Sequence, residues 1–299
     1  MAVTEGPDGI VQERPSTIVV AVDGSEANDA ALSWAADAAT RTGAGLKLVH
    51  IIDENLRLSP YFTIGYLEHE ARRVLTEARK RVEQVAPGVE VRTRAAFGRP
   101  ATSLVEESAD AALLVLGRRG HGAFKRLLIG SVSATAAGRS TVPAVVIPRA
   151  WDIEDHRRAP VVVGIDGSSR SESALPYAVE LAATLDVELR VLYVWGGDLA
   201  YSSDTAFVRE TLERWRDDAK ALVNTAVEPW RRKYPALTIT QLTQQGHVVG
   251  ALAEESEAAQ AVVVGGRPAG RMHAFIAGSV AYGVLHHASS PVIVVRGRA

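Results

Sequence analysis

The 299-residue sequence contains no cysteine. Disulfides, thiolate metal sites and cysteine nucleophiles are therefore excluded, and the composition suits a reducing cytoplasm. Neither sign of charge is in excess: 33 Lys and Arg stand against 35 Asp and Glu, a formal net charge of -2. That balance favours neither nucleic acid nor an acidic membrane surface as a partner. No stretch approaches the roughly 20 apolar residues needed to cross a bilayer. Residues 1–15 carry Glu5, Asp8 and Glu13 and lack the apolar core of a signal peptide. Familiar catalytic signatures are missing too, with no Gly-x-Ser-x-Gly elbow and no Walker lysine behind a glycine loop. His69-Glu70 has Arg73 where a zinc helix needs histidine, and the adjacent His286 and His287 point apart on a helix, so no metal site is expected. His50 is read as a core strand residue, and Trp215 and Trp230 as packing residues.

What is present is a strand that opens into glycines. Ala112-Leu113-Leu114-Val115-Leu116 is short and aliphatic, which suits a buried parallel strand. It runs into Gly117-Arg118-Arg119-Gly120-His121-Gly122 and, after an insert holding Lys125 and Arg126, into Gly130-Ser131. Val132 to Gly138 can be helical. A helix start presents unpaired N–H groups and partial positive charge to an anion, so the arrangement predicts a phosphate cradle. The same order returns at Ala261-Val262-Val263-Val264, Gly265-Gly266-Arg267-Pro268-Ala269-Gly270 and Gly278-Ser279.

The duplication extends through the chain. Residues 1–15 form a leader. Thr17 to Val22 is a strand that stops at Asp23-Gly24-Ser25, and Ser25 is placed to cap the next helix, whose apolar face runs from Ala31 to Ala39. Leu46 to Ile52 is a strand, Leu67 to Ala86 a helix with Leu67, Val74, Leu75, Ala78, Val82 and Val85 on one side, and Val89 to Ala96 a strand. Ala101 to Ala109 is a short helix, and Ala144 to Ile147, bounded by Pro143 and Pro148, a final strand suited to an edge or interface. Residues 151–160 read as a linker. Val161 to Ser168 then answers Val19 to Ser25, Leu189 to Val194 answers Leu46 to Ile51, and Leu252 to Ser256 answers Leu104 to Ser108. Two α/β domains follow, residues 16–150 and 161–299, each a parallel sheet with right-handed crossovers. Ligands of such sheets sit beyond the carboxyl ends of the strands, where strand order reverses.

The spacing Gly117-x2-Gly120-x9-Gly130-Ser131, behind a strand ending Val22-Asp23-Gly24-Ser25, resembles the ATP-binding branch of the universal stress protein family. The likeness covers nearly the whole chain, which resembles a tandem member of the actinobacterial kind. It implies two open five-stranded parallel sheets of order 3-2-1-4-5, similar to the adenine-nucleotide α-hydrolase sheet, each with a nucleotide across its strand ends. On this resemblance Asp23 and the backbone of Ile51 hold the adenine and ribose side. Gly117, Gly120, Gly130 and Ser131 hold ribose and phosphates, and Ser133 adds a phosphate contact; for magnesium accompanying ATP, the sequence itself offers Asp23 as a protein partner. Asp166, Val194, Gly265, Gly278 and Ser279 match in the second half. There Pro268 replaces the second glycine and Ala281 stands where Ser133 stands, so the first site is the better equipped. The resemblance further implies that the Pro143 and Pro291 strands pair across domains or subunits, within one chain or in a homodimer.

An ATP-binding regulatory role in stress response or growth control is the leading expectation. A slow ATP hydrolase on the same sheet is the rival. Hydrolysis needs groups that position water and neutralise the transferred phosphoryl, and beyond Asp23 no second carboxylate is identifiable, so little or no turnover is expected. A nucleotide-free interaction module built on the terminal strands is the third reading.

Overall fold

The computed structural model describes residues 17–25, 27–118, 129–168, 171–196, 205–266 and 279–296. The chain divides into two compact units, Met1–Ile153 and Glu154–Ala299, with the division inside residues 151–160. Within that stretch Trp151 is buried and Glu154–His156 forms a 3-10 turn.

In the first unit β1 (Thr17–Ala21), α1 (Ala27–Thr42), β2 (Gly45–Asp53), α2 (Ile64–Val85), β3 (Val91–Gly98), α3 (Pro100–Glu107), β4 (Leu113–Gly117), α4 (Ser131–Arg139) and β5 (Ala144–Ile147) alternate. The strands are parallel and run β3-β2-β1-β4-β5. Registers are fixed by pairs such as Val20↔Leu48, Val20↔Val115 and Leu114↔Ala144. Val19, Val20, Leu46, Leu48, Leu114 and Leu116 are buried, as expected of parallel strands covered on both faces. Each such side chain contributes about 1.5–3 kcal/mol through removal from water.

Helix boundaries follow local chemistry. Gly43, at φ 70°, lies directly beyond α1 and supplies the left-handed residue that helix C-termini favour. Thr63 caps α2 by accepting from the Tyr66 amide at 3.2 Å, and Pro100 occupies the first turn of α3, where a missing N–H costs nothing. The buried stripe of α2 is Leu67, Ala71, Leu75, Ala78 and Val82. Val85, expected on this stripe, is instead 61% exposed, because it is the last helical residue and the chain there turns away toward β3.

The second unit repeats the plan with β6 (Val161–Ile165), α5 (Ser171–Leu185), β7 (Leu189–Trp195), α6 (Thr205–Lys233), β8 (Ile239–Gln245), α7 (Val248–Glu255), β9 (Ala261–Gly265), α8 (Ser279–His287) and β10 (Val292–Val295). Its order is β8-β7-β6-β9-β10, again parallel. The expected α/β class and the 3-2-1-4-5 order therefore hold in each unit.

An ion pair recurs with the fold. Lys47 Nζ on β2 lies 2.6 Å from Glu107 Oε2 at the end of α3 and donates to the Glu107 carbonyl at 3.0 Å, while Arg94 Nε is 3.4 Å from Glu107 Oε1. In the second unit Arg190 reaches Glu255 at 3.4 Å from the matching positions. The hydrogen bond from Lys47 is the largest influence on the Glu107 carboxyl; burial, the next largest, opposes it, and with the Lys47 charge and Arg94 added the carboxyl is held below the usual glutamate range. A lowered pKa in the folded state stabilises folding above the unfolded value of about 4.3, and that contribution disappears as pH falls through the folded value. Glu107→Gln should thus be less stable than the parent at pH 7, with the gap closing below about pH 4, as read by urea unfolding at a series of pH values.

Candidate functional site

Strand order reverses between β1 and β4: the chain moves from β1 outward to β2 and β3, then returns to lay β4 on the other side of β1. The crossovers on the two sides leave in opposite directions, so a crevice opens at the carboxyl ends of this pair. Val20 pairs with Val115, which sets Val22 level with Gly117 and brings Asp23 and Gly117 to the two lips of one opening.

Asp23 is held by its own turn. Its Oδ1 accepts from the Ser25 amide at 2.9 Å and the Ser25 hydroxyl at 2.7 Å, and Oδ2 makes no hydrogen bond among the described residues. Gly24 between them has φ 78°, and a Cβ there would meet Val74 of α2 at 2.9 Å, so the turn needs glycine for both conformation and space. Ser25 thus spends its hydroxyl on Asp23, while its carbonyl accepts from the Asn28 amide at 3.0 Å.

Beneath the turn lies Asn28, 5% exposed. Its Oδ1 accepts from the Asp23 amide at 2.7 Å and its Nδ2 donates to the Ala21 carbonyl at 2.9 Å, so one amide side chain closes the frayed end of β1. His50 completes the floor. Its Nδ1 lies 2.8 Å from the Val22 carbonyl, and a carbonyl only accepts, so Nδ1 carries the proton. His50 was expected to be core; it is half-buried and serves the lip of the crevice instead. Ile51, beyond it on β2, is half-buried and stands two residues past the Ala21↔Val49 pair, level with Asp23.

On the β4 side, the Arg118 amide donates to the Ile147 carbonyl at 2.8 Å, extending the sheet one residue past Gly117. The Gly130 amide donates to the Arg118 carbonyl at 2.8 Å, so the chain comes back to the strand end from which it left. Gly130 is then the N-cap of α4, with φ -72° and ψ 143° and no capping side chain. The amides of Ser131, Val132 and Ser133 are those that an α-helix leaves without an intrahelical carbonyl. Ser131 is exposed at this helix start. Ser133 is 8% exposed, and its hydroxyl donates to the Gly117 carbonyl at 2.6 Å, joining the third residue of the helix to the last of the strand.

The structure therefore brings Asp23, Ile51, Gly117, Gly130, Ser131 and Ser133 to one end of the β1–β4 pair. Gly120, with Arg119, His121, Lys125 and Arg126, lies outside the described residues. In the second unit Asp166 repeats the turn, accepting from the Ser168 amide at 2.9 Å and its hydroxyl at 2.5 Å, with Gly167 at φ 72°. Val194 lies on β7 and Gly265 ends β9, and the Gly266 amide donates to the Val295 carbonyl at 2.7 Å as Arg118 does to Ile147. Ala281 is buried on α8 and has no hydroxyl to give Gly265. Pro268, Gly270 and Gly278 lie outside the described residues, and of Ser279 only its place at the start of α8 is described.

Asn28 is the residue that the sequence did not single out. Comparison of the halves hides it, since Ser171 takes its place, although a polar residue in the first turn after Asp-Gly-Ser is a signal for a turn-closing side chain. Asn28→Ala would strand the Ala21 carbonyl and the Asp23 amide, at a cost of about 1–3 kcal/mol for a buried group left unpaired. Denaturant unfolding should register that loss, whereas Asp29→Ala on the next residue should cost less than about 1 kcal/mol.

The profile described as Universal stress protein family matches residues 15–148 and again 158–296. A universal stress protein of Mycolicibacterium smegmatis is 32% identical over 289 residues, covering 94% of this chain and 97% of its own. One from Mycobacterium tuberculosis strain H37Rv is 32% identical over 292 residues, covering 93% and 96%. Among solved structures, a universal stress protein from Archaeoglobus fulgidus superposes with a TM-score of 0.70 at 20% identity, covering 94% of this chain and 96% of that one. Two matched family segments and a third of residues identical along almost the full length lead to one conclusion: this chain belongs to the universal stress protein family, with the family's domain present twice.

Proposed function

We propose that the first unit binds ATP with magnesium in the crevice between Asp23 and the start of α4, and that occupancy regulates the protein's contacts rather than feeding a fast reaction. The observation that carries this reading is the Gly130 amide on the Arg118 carbonyl, which returns an uncapped helix start to the carboxyl end of β4 at the point of strand reversal. A helix start so placed offers amide hydrogens and partial positive charge to phosphate oxygens. Gly117, Gly120, Gly130 and Ser131 hold ribose and phosphates. Asp23 and the Ile51 backbone hold ribose and base, and the uncommitted Oδ2 of Asp23 is the oxygen available to a ribose hydroxyl or a hydrated magnesium ion. Ser133 takes part through its amide, because its hydroxyl proton is given to Gly117.

The second unit offers Asp166, Val194, Gly265, Gly278 and Ser279 in the same frame, without a serine at Ala281 to fasten helix to strand. It is the weaker site. A protein whose folded state alone binds a ligand gains stability by mass action, about 2.7 kcal/mol at a hundred times the dissociation constant. Magnesium ATP should therefore raise the unfolding temperature, and calorimetric titration should resolve about one tight site per chain. Gly130→Leu, which puts a branched side chain where phosphate approaches, should remove the tight site and leave unliganded stability within about 1 kcal/mol. Absence of any shift at millimolar nucleotide would overturn the reading.

A further inference from the structure

The wall of the crevice on the β2 side is taller than its floor. β2 has nine residues against five each in β1 and β4, and past the Ala21↔Val49 pair it continues four residues to Asp53, about 13 Å at the rise of a strand. β3 supports it to the top through Ile52↔Phe97 and Asp53↔Gly98. On this wall sits the segment Glu54–Tyr66, a 3-10 turn over Glu54–Leu58 with no buried residue, followed by the entry to α2.

The segment is anchored at its base and bare at its tip. Asp53 Oδ1 accepts from the Asn55 amide at 2.9 Å, Arg99 Nε lies 3.0 Å from Glu54 Oε1, and the Arg57 guanidinium lies 5.0 Å from the centre of the Phe97 ring. Phe62 and Tyr66 stack on each other at 5.7 Å. Leu58 and Tyr61 are each 87% exposed, and the Tyr61 ring has no ring or cation partner among the described residues. Leu56, Ile64 and Tyr66 on the same stretch of chain are exposed at 38%, 47% and 50%. Single exposed apolar residues are ordinary; a run of them on one short connection marks a surface that is covered in another state.

We propose that this segment is a strap that folds over the base of the bound nucleotide, with Tyr61 stacking on the purine and Leu58 covering its edge. The inference rests on the nucleotide reading above. A purine is the occupant that fits: it is flat and apolar on both faces, which suits an unpaired aromatic ring. It would also lie at the foot of this wall, since Asp23 and Ile51 on the β1–β2 side leave the phosphates to the Gly130 side. In the second unit the matching wall is one residue shorter, with β7 ending at Trp195, three residues past the Gly164↔Leu192 pair that matches Ala21↔Val49, and Gly196 at φ 109° following it.

Hydrogen exchange and titration on the full chain test the strap. Saturating magnesium ATP should slow amide exchange in residues 55–63 at least tenfold in the parent protein. The double variant Leu58→Ser, Tyr61→Ser should bind ATP at least tenfold more weakly, with unchanged unliganded unfolding temperature. Tyr61→Phe, which keeps the ring, should bind ATP as the parent does. Inorganic tripolyphosphate, which has no base, should bind parent and double variant alike. Equal ATP affinity in parent and double variant, or unchanged exchange in the segment while ATP binds, overturns the strap and leaves the nucleotide site standing. A change of sedimentation with the double variant at unaltered ATP affinity would assign the patch to a second copy and also overturn it. Failure of the parent to bind ATP removes both.

Discussion

The reversal of strand order between β1 and β4 is the constraint on which the rest of the first unit depends. Parallel strands demand crossover helices, and laying β4 beside β1 after β3 sends one set of crossovers each way. The gap left at the carboxyl ends cannot be filled by the sheet itself. What borders it must be turn and helix start, the two kinds of backbone that leave amides without sheet or helix partners. Hydrogen bonds then decide how well the border is built, and here they come from close at hand: Asn28 and His50 brace the Asp23 turn, and Ser133 and Gly130 brace the exit of β4. These neighbours set the geometry of the opening before any ligand arrives, which is the preorganisation that makes binding economical in entropy.

Much of this was legible in the sequence because it is written in local patterns. Five aliphatic runs per half, alternating with longer amphipathic ones, pointed to parallel sheets, the resemblance to the universal stress protein family implied their order, and glycines behind the runs located the strand ends. Element limits shifted by a few residues where packing decides them. The helix read as Leu67–Ala86 begins at Ile64 because Thr63 supplies the cap, and Val85 is exposed because the helix ends beneath it. Patterns of identity could not show which side chain meets which carbonyl. His50 looked like a core residue since it sits in an apolar strand, yet its ring reaches across to the neighbouring chain segment. Asn28 and Ser133 act through pairings 5 and 16 residues distant, and only the folded chain brings those partners into contact.

Comparison of the two halves separates what the architecture requires from what the site requires. The Asp-Gly-Ser turn, with its glycine at positive φ, occurs twice, and so does the cation on the second strand paired to the acid ending the third helix. These belong to the fold. Asn28, His50 and Ser133 are replaced by Ser171, Tyr193 and Ala281, and all three replacements fall on the supports of the opening rather than on the sheet. The duplicated chain has kept its framework in both copies and changed residue type at these three supports.

The bracing has a further property. Asn28 donates to the Ala21 carbonyl and accepts from the Asp23 amide, and His50 donates to the Val22 carbonyl, so three successive residues of the β1 exit are each tied through a main-chain atom. None of these three ties uses the Asp23 carboxylate, whose Oδ1 is engaged with Ser25 of its own turn. A change of side chain at position 23 would therefore alter the chemistry offered at the mouth of the crevice while leaving these three ties, and the course of the backbone they hold, in place.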